Sequence, residues 1–121
     1  MELHLATVIE QIAAKIGGQP AIISGDQVTT WKDLDDRSSR LAAVLSKAGL
    51  RPGSRIGLYL TNSPEYLETW LAAFKIRAIP VNINYRYVED ELAYLLDDSG
   101  AEAIVFASSL ADRVASVLGG R

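Results

Sequence analysis

Apolar residues at Leu5, Val8, Ile9, Ile12, Ala13 and Ile16 recur at steps of three and four, the spacing that lines one face of a helix. The pattern predicts a helix over residues 3–16. Gly17-Gly18 is expected to end it, because glycine accepts the left-handed backbone angles common at helix ends. Two short β-prone runs follow, Ala21-Ile22-Ile23 and Val28-Thr29-Thr30, on either side of the turn-rich Ser24-Gly25-Asp26-Gln27, and together they predict a hairpin. Thr30 with Asp33 three positions on forms a capping box with the shorter acid. The helix it opens runs to about Ala48, with Leu34, Leu41, Val44, Leu45 and Ala48 inward and Gly49 closing it. Arg51-Pro52-Gly53 reads as a turn, and residues 55–60 as a strand covered on both faces.

Thr61-Asn62-Ser63-Pro64-Glu65 is the clearest helix start in the chain. Ser63 caps, Pro64 fills the first helical position and Glu65 faces the positive helix end. Tyr66, Leu67, Trp70, Leu71 and Phe74 form the expected buried face; an aromatic stripe at this spacing reads as core rather than as a stacking platform. A strand over 78–83, a helix over 89–98 with Leu92, Leu95 and Leu96 inward, and a strand over 103–107 follow. Ser109 with Asp112 then starts a last helix carrying Val114, Val117 and Leu118, which Gly119-Gly120 stops. After the opening β-hairpin, strand and helix alternate. The fold class is therefore α/β, a mostly parallel sheet with helices on both faces.

A chain of 121 residues makes one domain at most, read here as a single partial domain over 1–121. Its 49% hydrophobic and 22% charged residues are those of a globular protein. The absence of Cys removes disulfides, thiolate metal sites and thiol nucleophiles. A net charge of −3 disfavours nucleic acid as a partner, and no apolar run approaches a membrane span. A cytoplasmic location is expected. A doubly wound sheet is complete at this length or is the first part of something larger; the pattern leaves both open.

Little catalytic chemistry is visible. No Gly-Lys dipeptide supplies a phosphate-cradling loop, and Gly49, Gly53 and Gly57 lack the dinucleotide spacing and bracket a helix-to-strand turn. His4, the single histidine, has no second ligand beside it and reads as a surface residue. Asp35-Asp36 and Asp97-Asp98 are helix neighbours whose side chains diverge by about 100°, as a solvated face requires. No residue is assigned as catalytic, cofactor-binding or metal-binding. One segment departs from a plain core element: Pro80-Val81-Asn82-Ile83-Asn84-Tyr85-Arg86-Tyr87 passes from apolar strand into a polar-aromatic loop. Ligands of open α/β sheets bind beyond the carboxyl ends of strands. Asn84, Tyr85 and Arg86 are therefore the candidate pocket rim. The competing reading is that the asparagines satisfy turn backbone and Arg86 pairs with Glu89 or Asp90.

Residues 70–87, from Trp70-Leu71-Ala72-Ala73-Phe74 through Asn82-Ile83-Asn84-Tyr85-Arg86-Tyr87, and on into Glu91-Leu92-Ala93-Tyr94-Leu95-Leu96, resemble the N-terminal part of AMP-forming acyl-CoA synthetases of the adenylating superfamily. Thr29-Thr30-Trp31-Lys32-Asp33-Leu34, Pro52-Gly53-Ser54-Arg55-Ile56 and Asn62-Ser63-Pro64-Glu65 agree in order and spacing, so the resemblance covers essentially the whole chain. The Asn-x-Asn-Tyr-Arg-Tyr loop with Ala111-Asp112-Arg113-Val114-Ala115 is similar to a branch that activates fatty or sterol side-chain acids. The resemblance implies a two-step ligation in the intact enzyme: a carboxylate attacks Mg-ATP to give acyl-adenylate and pyrophosphate, and the CoA thiol then displaces AMP.

ATP, Mg²⁺ and CoA are thus implied for the whole enzyme and none for this chain alone, because the family's phosphate loop, metal-holding acid and lysines lie beyond the matched region. The implied partner is the remainder of the synthetase, on the same or a second chain, with a fatty or sterol side-chain acid as substrate. The alternative is a non-catalytic α/β interaction module derived from such an enzyme. Two departures stand out. Arg77 occupies a position usually held by glycine, so that corner is expected to be shaped differently; Val88 occupies a cap position usually held by Ser or Thr, at a cost of about 1 kcal/mol.

Overall fold

The computed structural model describes residues 5–61 and 63–119. Leu3, His4, Asn62 and Gly120, all used in the sequence reading, lie outside them. The element order is α1 (Leu5–Ile16), β1 (Pro20–Ser24), β2 (Gln27–Thr30), α2 (Trp31–Lys47), β3 (Arg55–Tyr59), α3 (Pro64–Lys75), β4 (Ile79–Asn82), α4 (Glu89–Ser99), β5 (Ala103–Phe106), a 3₁₀ turn (Ser108–Leu110) and α5 (Ala111–Leu118). The α/β expectation holds. β1 and β2 form an antiparallel hairpin; β4, β3 and β5 form a parallel sheet in that order.

Why these residues make these elements is mostly local. Thr30 Oγ1 accepts from the Asp33 amide at 3.1 Å, and Ser63 Oγ from the Tyr66 amide at 3.3 Å with Pro64 at the helix start, so two helix starts have the expected caps. At α4, Glu91 reaches back to accept from the Val88 amide at 3.2 Å, but valine offers no acceptor in return, and only half of a capping box forms. Three expectations need correction. Gly17 ends α1 without a left-handed turn: it is absent from the positive-φ residues, and a Cβ there would sit 2.6 Å from the Ala13 carbonyl oxygen. Ser109 caps nothing; it lies inside the 3₁₀ turn, and Leu110 precedes α5 without a side-chain cap. The buried stripe of α2 is Leu34, Ser38, Ala42 and Leu45, while Val44 and Ala48 are exposed.

The crossover from β3 through α3 leads to one side of β3, and the crossover from β4 through α4 leads to the other. Helices therefore cover both faces, and two cores form. Ile56 and Leu58 of β3 pack with Ala42, Leu45, Ala72 and Ala73 of α2 and α3. Tyr59 packs with Ile83, Leu92 and Leu96 of β4–α4 and with Val114 and Val117 of α5. The centre of α3 buries Leu71, Ala72 and Ala73, whereas Tyr66, Trp70 and Phe74 are only half-buried. The aromatic stripe thus borders the core instead of filling it, with Trp70 and Phe74 edge-to-face at 4.6 Å. Alanines at the helix contact let α2 and α3 approach closely. Gly57 lets Ile83 lie close: a Cβ there would meet Ile83 Cδ1 at 2.7 Å and displace the end of that side chain.

Arg77 takes φ 62°, the left-handed geometry that glycine adopts freely. The Ala78 amide bonds the Ala73 carbonyl and the Arg77 amide the Phe74 carbonyl, a left-handed helix stop. The corner is therefore not reshaped by arginine, contrary to expectation; it keeps the glycine geometry under strain. Arg77→Gly should stabilise the chain by about 1 kcal/mol, read from the urea midpoint, and a loss of stability would show that the Arg77–Phe74 side-chain hydrogen bond outweighs the strain.

Candidate functional site

Adjacent strands β3 and β5 send their following loops to opposite faces of the sheet, and the space beyond their carboxyl ends is where such sheets hold ligands. Two openings lie there among the described residues. One, of about 470 Å³, lies between the ends of β3 and β5 and is lined by Thr61, Ser63, Glu65, Glu68 and Ser108 among others. The other, of about 460 Å³, lies beyond β3 and β4 and is lined by Leu60, Tyr66, Asn82, Asn84, Tyr85 and Tyr87 among others.

The candidate rim residues reach the second opening only in part. Asn84 and Tyr85 line it, whereas Arg86 does not. The Asn84 side chain accepts from the Arg86 amide at 2.9 Å, and the Tyr87 amide donates to the Asn84 carbonyl at 3.0 Å, so Asn84 shapes the turn as well as facing the groove. Asn82 does not serve the turn; it accepts from the Tyr66 hydroxyl. No ion pair joins Arg86 to Glu89 or Asp90. Its guanidinium lies over the Tyr85 ring, 5.5 Å from the centroid. Burial pushes the Tyr66 phenol above its ordinary pKa.

Two residues that the sequence reading did not single out for this site hold the loop in place. Tyr59, fully buried at the end of β3, donates its hydroxyl to the Tyr87 carbonyl. Arg113 of α5 donates from Nη1 to the Tyr59 hydroxyl at 3.0 Å, the Tyr87 carbonyl at 3.1 Å and the Tyr85 carbonyl at 3.4 Å. The hydrogen bond with Tyr59 is the main reason the Arg113 guanidinium sits above its ordinary value. Separations of 54 and 26 residues hide these contacts from any local pattern.

The first opening adjoins a second missed feature. Glu68 is buried on α3 and accepts from Arg37 Nε of α2 at 2.6 Å, which raises the Arg37 guanidinium above its ordinary value. Its signal in the sequence was an acid placed among Thr69, Leu71 and Ala72. Lys75 likewise ties α3 to Asp35 of α2 at 2.6 Å and to Glu10 of α1 at 3.6 Å. Arg37 is thus already paired with Glu68, and Glu65 and Glu68 both line the first opening. Among the described residues, no group of three or more His, Asp or Glu converges as a metal site, and no helix is long and apolar enough to cross a membrane.

The chain is 39% identical over 118 residues to a 3-oxocholest-4-en-26-oate–CoA ligase from Rhodococcus rhodochrous, covering 98% of this chain and 21% of that protein. It is 40% identical over 116 residues to a medium/long-chain-fatty-acid–CoA/3-oxocholest-4-en-26-oate–CoA ligase from Mycobacterium tuberculosis, covering 96% and 21%. The crystal structure of a long-chain-fatty-acid–CoA ligase from Archaeoglobus fulgidus superposes with a TM-score of 0.91 at 30% identity, covering 99% of this chain and 26% of that one. The chain spans about a fifth of the length of the curated relatives it matches. Residues 9–120 match the model of the AMP-binding enzyme family, and the chain belongs to that family.

Proposed function

We propose that this chain works as the N-terminal part of an ATP-dependent acyl-CoA synthetase, the single partial domain at 1–121 serving as scaffold and as one rim of the substrate pocket. Identity of 39–40% along nearly the whole chain to ligases of fatty and sterol side-chain acids carries the reading. The intact enzyme joins a carboxylate to CoA through an acyl-adenylate, releasing pyrophosphate and then AMP. Its substrate is a fatty or sterol side-chain carboxylic acid. The opening between β3 and β5 is lined by Glu65 and by Glu68, which is paired with Arg37, and this reading gives no residue of the chain a role in holding Mg-ATP. The chemical steps therefore belong to the remainder of the synthetase. What this chain contributes is shape. Asn84 and Tyr85 face the groove, Arg86 steadies the Tyr85 ring, and Tyr59 with Arg113 sets the loop that carries all three.

A chimera tests this directly. Grafted in place of the matching segment of the Rhodococcus ligase, the chain should restore acyl-CoA formation, while the purified chain alone should release no pyrophosphate from ATP and carboxylate. A soluble, folded chimera without activity, or pyrophosphate release by the chain alone, would overturn the reading.

A further inference from the structure

The turn at residues 84–87 is curled by its own atoms and fastened to the fold by others. The Arg86 amide bonds Asn84 Oδ1 at 2.9 Å and the Tyr87 amide bonds the Asn84 carbonyl at 3.0 Å. Those bonds give the turn its shape but not its direction relative to the sheet. Among the described residues, its hydrogen bonds to other elements come from two side chains, Tyr59 and Arg113. Both are rooted in the core. Tyr59 is fully buried on β3, and Arg113 precedes Val114, which is 2% exposed and packs with Tyr59, Ile83 and Leu92. Their reach differs. The Tyr87 carbonyl accepts from both, whereas the Tyr85 carbonyl accepts from Arg113 Nη1 at 3.4 Å and, among the described residues, from nothing else. Arg113 alone therefore holds the turn at two points, and two points fix a direction where one leaves a pivot. Among the described residues it forms no ion pair, and its three acceptors are neutral oxygens. Its charge thus strengthens these bonds instead of being spent on a carboxylate.

The geometry points to Arg113 as a positioning residue of the intact synthetase: it sets where the Tyr85 ring and the Arg86 guanidinium stand at the groove, and Tyr59 supports it without being able to replace it. Arg113 acts through the two carbonyls. Tyr85 lines the groove, and the Arg86 guanidinium lies over its ring, 5.5 Å from the centroid, so a change in the direction of Tyr85 carries Arg86 with it. Loss of the Tyr59 hydroxyl removes one of two donors from the Tyr87 carbonyl and leaves both bonds from Arg113 to the turn. Loss of the guanidinium releases the Tyr85 carbonyl and leaves Tyr87 on a single donor. The effect of Arg113 should therefore exceed that of the Tyr59 hydroxyl. Burial would rank them the other way, since Tyr59 is fully buried and Arg113 only half-buried. The part that Arg113 plays in ligation rests on the synthetase reading; its hold on the turn rests on these bonds alone.

Amide order parameters of the full chain, from nitrogen relaxation, read the turn directly. Residues 85–87 should lie near the rigid value of about 0.85 in the parent and fall toward about 0.6 in Arg113→Met, which keeps an apolar stem and removes every donor. The Ile79 and Glu102 amides, bonded to the Ser54 and Arg55 carbonyls, should stay rigid in both. Tyr59→Phe should loosen the turn less. Arg113→Lys keeps the charge on a shorter stem and should fall between parent and Arg113→Met; it also serves if the methionine variant does not fold. In the chimera with the Rhodococcus ligase, Arg113→Met should raise the KM for the acid at least about fivefold with kcat within about twofold, because the residue orients a rim and does not reach the reacting atoms. An inactive parent chimera would overturn the synthetase reading, and the order parameters would still decide whether Arg113 holds the turn. A turn that stays rigid in Arg113→Met, an equal or larger loosening in Tyr59→Phe, or an active chimera whose KM for the acid does not move would each overturn the positioning role.

Discussion

Leu58→Ala should destabilise the chain by about 3–5 kcal/mol, enough to remove most of the stability a domain of this size carries. Leu58 is fully buried on β3, the strand shared by both ladders of the sheet, with Asn82 beside it on β4 and Val105 on β5. It packs against Ala72 and Ala73, and alanines offer no flexible side chain that could swing into the space left behind. The cavity therefore persists, and cavity cost adds to the lost transfer free energy. Urea unfolding followed by far-ultraviolet circular dichroism measures the effect. Val44→Ala is the control: Val44 is 62% exposed, and its truncation should fall within about 0.5 kcal/mol of the parent. A loss below 1 kcal/mol at Leu58 would mean that β3 is not the strand on which this core is built.

Arg37→Met should cost about 2 kcal/mol. Glu68 presents only 10% of its side chain to water, so removing its partner strands a carboxylate in a poorly hydrated place. The full penalty for breaking a buried pair is about 3–5 kcal/mol, but the Arg37 side chain is 53% exposed, and water screens this pair and can reach the vacated position. The diagnostic experiment is the double variant. Arg37→Met with Glu68→Leu removes both charges and should recover most of the loss, because an apolar pair needs no counter-charge between α2 and α3. If the double variant is no better than the sum of the two single ones, the contact is only a surface pair.

Where neighbouring residues alone decide the outcome, the sequence was a sufficient guide. Ser63 before Pro64, Thr30 before Asp33, and the turn between Ile23 and Val28 each act within a few positions, and all three structures form as read. The alternation of strand and helix was legible for the same reason, since right-handed crossovers leave few ways to arrange it. Reading failed where the partner lies far along the chain. On α2, Val44 and Ala48 were placed inward, whereas the structure buries Ser38 and Ala42, the latter against Ala72 and Ala73. Glu68 was not singled out, because nothing near it announces Arg37 31 positions earlier.

The loop that carries the candidate rim was legible in composition. A polar-aromatic stretch after an apolar strand marks a loop at a sheet's carboxyl end, and Asn84 and Tyr85 do line a groove there. For Arg86, pairing with an acid was weighed, whereas the structure stacks it on its neighbour's ring. Tyr59 escaped notice because a buried hydroxyl on a core strand has no local signature, and Arg113 entered only as part of a resembling segment because its partners lie 26 to 54 residues away.

The Arg113 clamp also sets an order of events during synthesis. The turn at residues 84–87 receives three of its fastenings from a side chain made 26 residues after Tyr87 and from the phenol that side chain holds. The local bonds of Asn84 and the Tyr59 hydroxyl can therefore form as soon as the turn is made, whereas the Arg113 fastenings can form only once residue 113 has left the ribosome.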